Sequence, residues 1–240
     1  MQHESHSFWY SFRKRLVRNS GAVFGLIIIA VACATGAMAY YIAPDHSPDA
    51  NRIILEISGK KPGLTMQFLL LPKEKKVNQA GWFDRLMNGQ EDSFIYLPVQ
   101  SWQIKKDSII VEKYVDDGIT ERQGYLLNNI QAVSHDLVVQ KTFWLGTDKF
   151  GRDIVSRLII GVRVSLAVGL IAVVISLTIG ITLGLVAGYF GGTPDKVIMW
   201  FFNVVWSIPT LLLVFAITLA LGKGFLQVFI AVGLTLWVNV

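Results

Sequence analysis

Four long stretches of this chain carry no charged side chain: Asn19–Pro44, Val164–Pro194, Val197–Gly222 and Gly224–Val240. About twenty apolar residues carry a helix across the hydrocarbon of a bilayer. The first three stretches are long enough, and the fourth approaches that length where the sequence stops. The pattern predicts a transmembrane helix at 21–43 and three more at about 164–187, 197–221 and 225–240, the last incomplete. The first is read as an anchor rather than a cleaved signal. Its apolar core, Ala22 to Ile42, exceeds a signal h-region, and Ala37-Met38-Ala39 is only a poor imitation of a cleavage site.

Residues 44–142 follow a different rhythm. Arg52–Ser58 and Leu64–Leu71 read as strands around a Gly59–Gly63 turn, and Phe94–Lys105 with Ile109–Val115 as a hairpin across Lys106-Asp107-Ser108. Trp82–Met87 and Tyr125–Ala132 are short helix candidates. The expectation is a small α+β domain inserted between the first span and a membrane core at 143–240.

Composition sharpens this picture. The chain is 52% hydrophobic and 16% charged, with a mean hydropathy of +0.48, whereas soluble domains carry about a quarter charged residues. The net charge of +5 does not point to nucleic acid. Arg13, Lys14, Arg15 and Arg18 cluster just before the first span, which is an orientation signal placing residues 1–20 in the cytoplasm. Phe8, Trp9, Tyr10 and Phe12 beside them suit an interfacial helix. The insert then lies outside the cell. Cys33 has no partner cysteine, and His3, His6, His46 and His135 show no metal-ligand spacing beyond His3-x-x-His6. No catalytic, cofactor-binding or metal-ligating set emerges, and Asp116-Asp117 reads as a solvated turn.

Leu145-Gly146-Thr147-Asp148 offers a turn in which Thr147 or Asp148 caps a helix. At about 100° per residue, Arg152, Asp153, Ser156, Arg157 and Arg163 share one face; Ile154, Val155, Leu158, Ile159 and Val162 share the other, and Ile160 alone breaks the division. The pattern predicts an elbow helix over 152–163, flat on the membrane, with Asp153 paired to Arg157 and a turn into the bilayer near Gly161. A plain soluble linker helix is the alternative. Gly180, Gly184 and Gly188, four apart, give a flat strip for helix packing, or else a pore lining. Pro209 bends the third span, as a static kink or as a hinge. No charge-free stretch contains an ionised group, which disfavours an ion-coupled carrier.

Trp144–Asp148, Gly151-Arg152-Asp153, Ser156-Arg157, Gly161-x-Arg163-x-Ser165-Leu166, Ala187–Gly192 and Ser207–Thr210 occur in order. Together they resemble the C-type inner-membrane permease subunit of dipeptide, oligopeptide and nickel ABC transporters. The match covers 143–240 and the position of the first helix. The resemblance implies an α-helical polytopic permease of the type I importer class in the bacterial cytoplasmic membrane, with an inserted extracytoplasmic domain. It implies no covalent chemistry and no bound cofactor. The implied partners are a second permease in a heterodimer, two cytoplasmic ATPase subunits, an extracytoplasmic solute-binding protein and membrane lipid, and no nucleic acid. The assembly motif carried over is Leu145, Gly146, Thr147, Asp148, Gly151, Arg152, Asp153, Arg157 and Arg163. The family's coupling loop and last two helices lie beyond Val240, so the sequence reads as truncated. The insert is longer than the loop of many members; docking the binding protein, bracing the partner and shielding the mouth are all open roles. The competing reading is a membrane-anchored sensor or assembly factor acting through that insert.

Overall fold

A computed structural model describes residues 15–73, 77, 79–127, 137–222 and 224–240. The expected interfacial helix of Phe8–Phe12 therefore lies outside the described residues. The chain divides into two compact units, residues 1–163 and 164–240.

The first unit opens with helix α1, Ser20–Ala37. The Asn19 side chain caps it by accepting from the Ala22 N–H at 3.2 Å. A one-turn helix α2, Ala39–Ile42, follows across Met38. Beyond it lies an antiparallel sheet in the order β4-β3-β2-β1-β5, formed by β1 (Leu64–Pro72), β2 (Phe94–Lys105), β3 (Ser108–Asp116), β4 (Ile119–Leu126) and β5 (Val138–Phe143). Helix α3, Trp82–Asn88, sits between β1 and β2. Period-two alternation sends Phe68 to one face and Leu69 to the other. Leu69, Leu97, Val99, Ile109 and Val111 form one core; Ile54, Ile57, Phe68, Tyr114 and Phe143 form the other. Phe68 anchors the second through edge contacts to Tyr96 and Phe143, with centroids 6.0 and 6.1 Å away.

Two expectations fail here. Arg52–Ser58 is not a strand: it ends in a 3₁₀ turn at Leu55–Ile57. Its buried positions, Ile54 and Ile57, are three residues apart, and the backbone N–H groups of Ile54 and Gly59 donate to the carbonyls of Phe150 and Asp148 rather than to a ladder. Tyr125 and Leu126 belong to β4, paired with Ile109 and Ser108. The rest of that expected helix lies largely outside the described residues.

Helix α4 runs unbroken from Ile154 to Phe190, so the chain does not turn at Gly161. No neighbour crowds Gly161, and one glycine costs only about 1 kcal/mol in a helix. At 1.5 Å per residue the 37-residue helix is about 55 Å long, well beyond the ~30 Å hydrocarbon core. Only Gly191, at φ 58°, separates it from α5, Gly192–Trp206. Helix α6 covers Thr210–Leu221 and α7 Phe225–Leu236. The described residues hold two helices long and apolar enough to cross a membrane, α1 and α4, or three spans if the α5–α6 pair counts as one. Pro209 does more than kink that pair: the two helices meet at 96°. The fourth expected span is the shorter α7.

Candidate functional site: the loop that sets the head of helix α4

The loop 145–153 is stitched to the segment that follows α2. Thr147 does not cap a helix. Its hydroxyl donates to the Ile57 carbonyl and accepts from the Lys60 N–H at 2.9 Å, while its own N–H donates to the Lys60 carbonyl at 3.1 Å. Gly59 N–H reaches the Asp148 carbonyl at 2.9 Å, the Ser58 hydroxyl the Lys149 carbonyl at 2.8 Å, and Ile54 N–H the Phe150 carbonyl at 3.2 Å. Leu145 stays exposed.

The two glycines of the loop are forced by contact. Gly146 and Gly151 hold φ of 76° and 73°. A Cβ on Gly146 would lie 2.3 Å from the Lys60 carbonyl oxygen, and one on Gly151 only 1.7 Å from that of Ile54. Positive φ and backbone approach together admit no other residue without rearrangement.

Asp148 closes the turn. Its Oδ1 accepts from the N–H groups of Phe150 and Arg152 at 2.9 and 3.0 Å, and its Oδ2 from Arg152 Nε at 2.8 Å. Burial pushes its carboxyl up, but the Arg152 side chain and these two backbone donors outweigh it, leaving the pKa below the ordinary carboxylate value. The expected Asp153–Arg157 pair is replaced. Arg157 Nε lies 3.9 Å from Asp148, and Asp153 is the actual helix cap. Its Oδ2 accepts from the Ser156 N–H at 2.9 Å and from the Ser156 hydroxyl. Ser156 Oγ in turn accepts the Asp45 N–H at 2.9 Å, which ties the head of α4 to the end of α2.

Asp45 opens a polar cluster that pattern reading missed. Its carboxylate accepts from Ser47 N–H and Arg52 N–H at 3.0 and 3.1 Å and faces the Arg52 guanidinium at 3.3 Å. Arg52 also pairs with Asp92 and stacks 4.1 Å from the Tyr96 ring centre. Lys141 Nζ lies 4.4 Å from that same ring centre. Burial first, and the Arg52 charge second, lower the Lys141 pKa to about 8. A cavity of about 160 Å³ is bounded by Asp45, Arg52, Lys141 and Asp153. The available signal was Asp45 itself, the first charge after the run that ends at Pro44.

These contacts invert the helical wheel. The face carrying Asp153, Ser156 and Ile160 is the buried one, which explains why Ile160 broke the division. Leu158, on the apolar face, is exposed. Arg163 leaves the helix for α3, donating to the Leu86 carbonyl at 2.6 Å.

Comparison with known proteins finds similarity to transport permeases. The family model described as the N-terminal TM domain of oligopeptide transport permease C fits residues 7–57. The oligopeptide transport system permease protein OppC of Bacillus subtilis (strain 168) is 35% identical over 118 residues, 49% of this chain and 38% of that protein. The glutathione transport system permease protein GsiD of Pectobacterium atrosepticum is 44% identical over 91 residues, 38% of this chain and 30% of its own. GsiD of Escherichia coli O6:K15:H31 is 42% identical over 108 residues, covering 45% and 33%. The chain resembles a C-type ABC-transporter permease. The matched stretches span about a third of each curated relative's length.

In the membrane unit of this permease-like chain, the glycine strip divides. A Cβ on Gly180 would meet Val240 at 2.5 Å and the Trp237 carbonyl oxygen at 2.9 Å, whereas Gly184 and Gly188 have nothing within 4 Å. The stripe that packs within the chain is Ala172, Ser176 and Gly180, all buried. It has the same four-residue spacing, shifted two turns toward the head of α4. Gly233 on α7 closes on Ile175 in the same way, and Trp237 stacks on Phe201 at 5.9 Å.

Proposed function

We propose that this chain is part of the permease subunit of an ABC importer for peptides or similar small solutes such as glutathione. The similarity to permeases in both the N-terminal segment and the longer matched stretches carries this reading. Spans free of ionised groups support it, because the energy for transport then comes from partner ATPases. In this reading the basic block before α1 lies in the cytoplasm and the sheet domain outside it.

The chain's own contribution is mechanical. The 145–153 loop fixes the head of α4 against the sheet domain, so that a push on α4 moves a rigid rod rather than a frayed end. Gly184 and Gly188, left open along α4, form a strip close enough to backbone to receive a helix of a second permease. The break at Ser207–Pro209 is the place where α5 and α6 change their mutual angle when ATPase subunits close. An extracytoplasmic binding protein delivers the solute.

Affinity purification of the full-length protein in mild detergent is expected to bring down a second permease and two ATPase subunits. A stable lone protein overturns the proposal in favour of a membrane-anchored sensor. Sidedness has its own test. Lys106→Cys on the β2–β3 turn, in a Cys33→Ser background, is expected to react with an impermeant maleimide in spheroplasts, and Thr193→Cys only after permeabilisation. The reverse pattern refutes the orientation.

A further inference from the structure

Helix α3 is short, but its composition is divided sharply. At about 100° per residue, Trp82, Leu86, Phe83 and Met87 fall within one arc of about 140°, and Asp84, Asn88 and Arg85 occupy the opposite side. The polar side is partnered: Asn88 donates to Asp84 at 2.6 Å, and the Arg85 guanidinium stacks 5.4 Å from the Tyr41 ring centre. Three residues of the apolar side are not covered. Trp82 is 75% exposed, Phe83 60% and Met87 47%.

The level at which this face is held is fixed by two clamps. The Tyr41 hydroxyl, at the end of the first charge-free run, donates to the Trp82 carbonyl at 3.3 Å. The Arg163 guanidinium donates to the Leu86 carbonyl at 2.6 Å, reaches the Met87 sulfur at 3.3 Å, and lies 5.3 Å from the Tyr40 ring centre. Arg163 is the last charge before the second charge-free run begins at Val164. Helix α3 is thus pinned at both ends to the residues where the two long apolar helices meet the polar boundary. Arg163, the exposed Tyr41 and the exposed Trp82, brought to this helix by those contacts, have the chemistry of an interfacial belt, because amphipathic rings and long cations prefer the headgroup layer.

We infer that the Trp82–Phe83–Met87 face of α3 is a lipid-contacting surface, seated in the headgroup–acyl boundary of the leaflet on the sheet domain's side. The occupant is lipid rather than a protein partner, because the helix is held by Tyr41 and Arg163, the residues that border the two charge-free runs. Exposed Leu26, Ile27 and Leu158 on α1 and α4 face outward without protein cover. The consequence is a third attachment point for the insert. Tyr41 and Arg163 tie it to the two spans, and α3 ties it to the bilayer between them, setting how far the sheet stands off the membrane. This inference rests on α1 and α4 crossing the membrane.

Spin labels at single cysteines in a Cys33→Ser background, with the full-length protein in phosphatidylcholine–phosphatidylglycerol nanodiscs, test it. The expected result at positions 83 and 87 is accessibility to oxygen exceeding that to the water-soluble nickel relaxant, with the order reversed at positions 84 and 88. Labels at 83 and 87 that favour the nickel reagent place the face in water, and labels reached by neither place it under protein; both overturn the inference. A label at Leu170, in the second span, separates the two claims. Lipid access there with water access at 83 and 87 removes the α3 surface alone, whereas water access at Leu170 removes the membrane reading and this inference with it.

Discussion

At the scale of single residues, the loop before α4 depends on backbone shape more than on charge. Gly151→Ala sets a methyl against the Ile54 carbonyl at a positive φ. A non-glycine residue held in such a conformation costs roughly 1–3 kcal/mol before any clash is counted. The expected outcome is a lowered melting temperature in detergent together with faster proteolysis at Lys149 and Arg152, whereas Gly118→Ala, with φ 79° but open space around it, suffers the strain alone and loses less. Lys141 supplies a separate signature. Its pKa falls to about 8 from the ordinary 10.5, so between those values the unfolded chain binds more protons than the folded one, and stability rises with pH. Below pH 8 the full cost of burying the ammonium is present, on the order of 2 kcal/mol after allowance for partial exposure. Tyr96, pushed up to about 12 chiefly by burial, opposes this above pH 10, because there the folded state holds the extra proton. The clean window is pH 8 to 10: the melting temperature is expected to rise across it, and Lys141→Met to flatten the rise. An unchanged slope in that variant refutes the assignment.

At the scale of elements, small-residue spacing along α4 identifies two stripes rather than one. Ala172, Ser176 and Gly180 are buried within the chain, and Gly184 and Gly188 are open. Gly180→Leu is therefore expected to destabilise the isolated protein by about 1–3 kcal/mol through overpacking, read as a lower melting temperature. Gly184→Leu is expected to leave it unchanged and to reduce recovery of a second permease in pull-downs. Equal effects of the two variants on the isolated protein remove the distinction. The sequence made β1, the β2–β3 hairpin and the charge-free runs legible, because each is fixed by a local period or by exclusion of charge. It did not disclose the partners of Asp153, whose carboxylate has both Arg157 and Ser156 within one helical turn and is drawn to Ser156 by the remote Asp45 N–H. Arg52–Ser58 misled for a related reason: a segment rich in isoleucine favours a strand, but the backbone donors of Ile54 and Gly59 find loop carbonyls some ninety positions away. The gap expected between the spans ending near 187 and starting at 197 likewise closes, because two consecutive glycines at positive φ, Gly191 and Gly192, are enough to change the direction of the helices.

At the scale of the whole molecule, the sheet is an excursion whose ends meet. Gly63 N–H donates to the Phe143 carbonyl at 2.9 Å, so residues 64–142 can be replaced by a short glycine–serine connection without pulling the 52–61 segment away from the 145–153 loop. The hydrogen bonds between those two segments, from Thr147, Ser58 and Ile54, involve none of the excised residues. What the excision removes is apolar cover. Ile54 and Ile57 pack in the core that holds Phe68 and Tyr114, and each fully buried isoleucine is worth about 1.5–3 kcal/mol. The shortened protein is therefore expected to insert into the membrane, because α1 and α4 keep their apolar faces, while the loop is cleaved faster at Lys149 and Arg152 by limited trypsin digestion. Protection equal to the intact protein shows that the hydrogen-bonded stitch suffices without the sheet, and loss of membrane insertion shows that the sheet is needed to form the helix head at all. Solute uptake by the reconstituted transporter then reads the function of the insert directly: uptake that survives excision assigns the sheet to bracing, and uptake that vanishes while the shortened chain still recovers its partners assigns it to delivery of the solute.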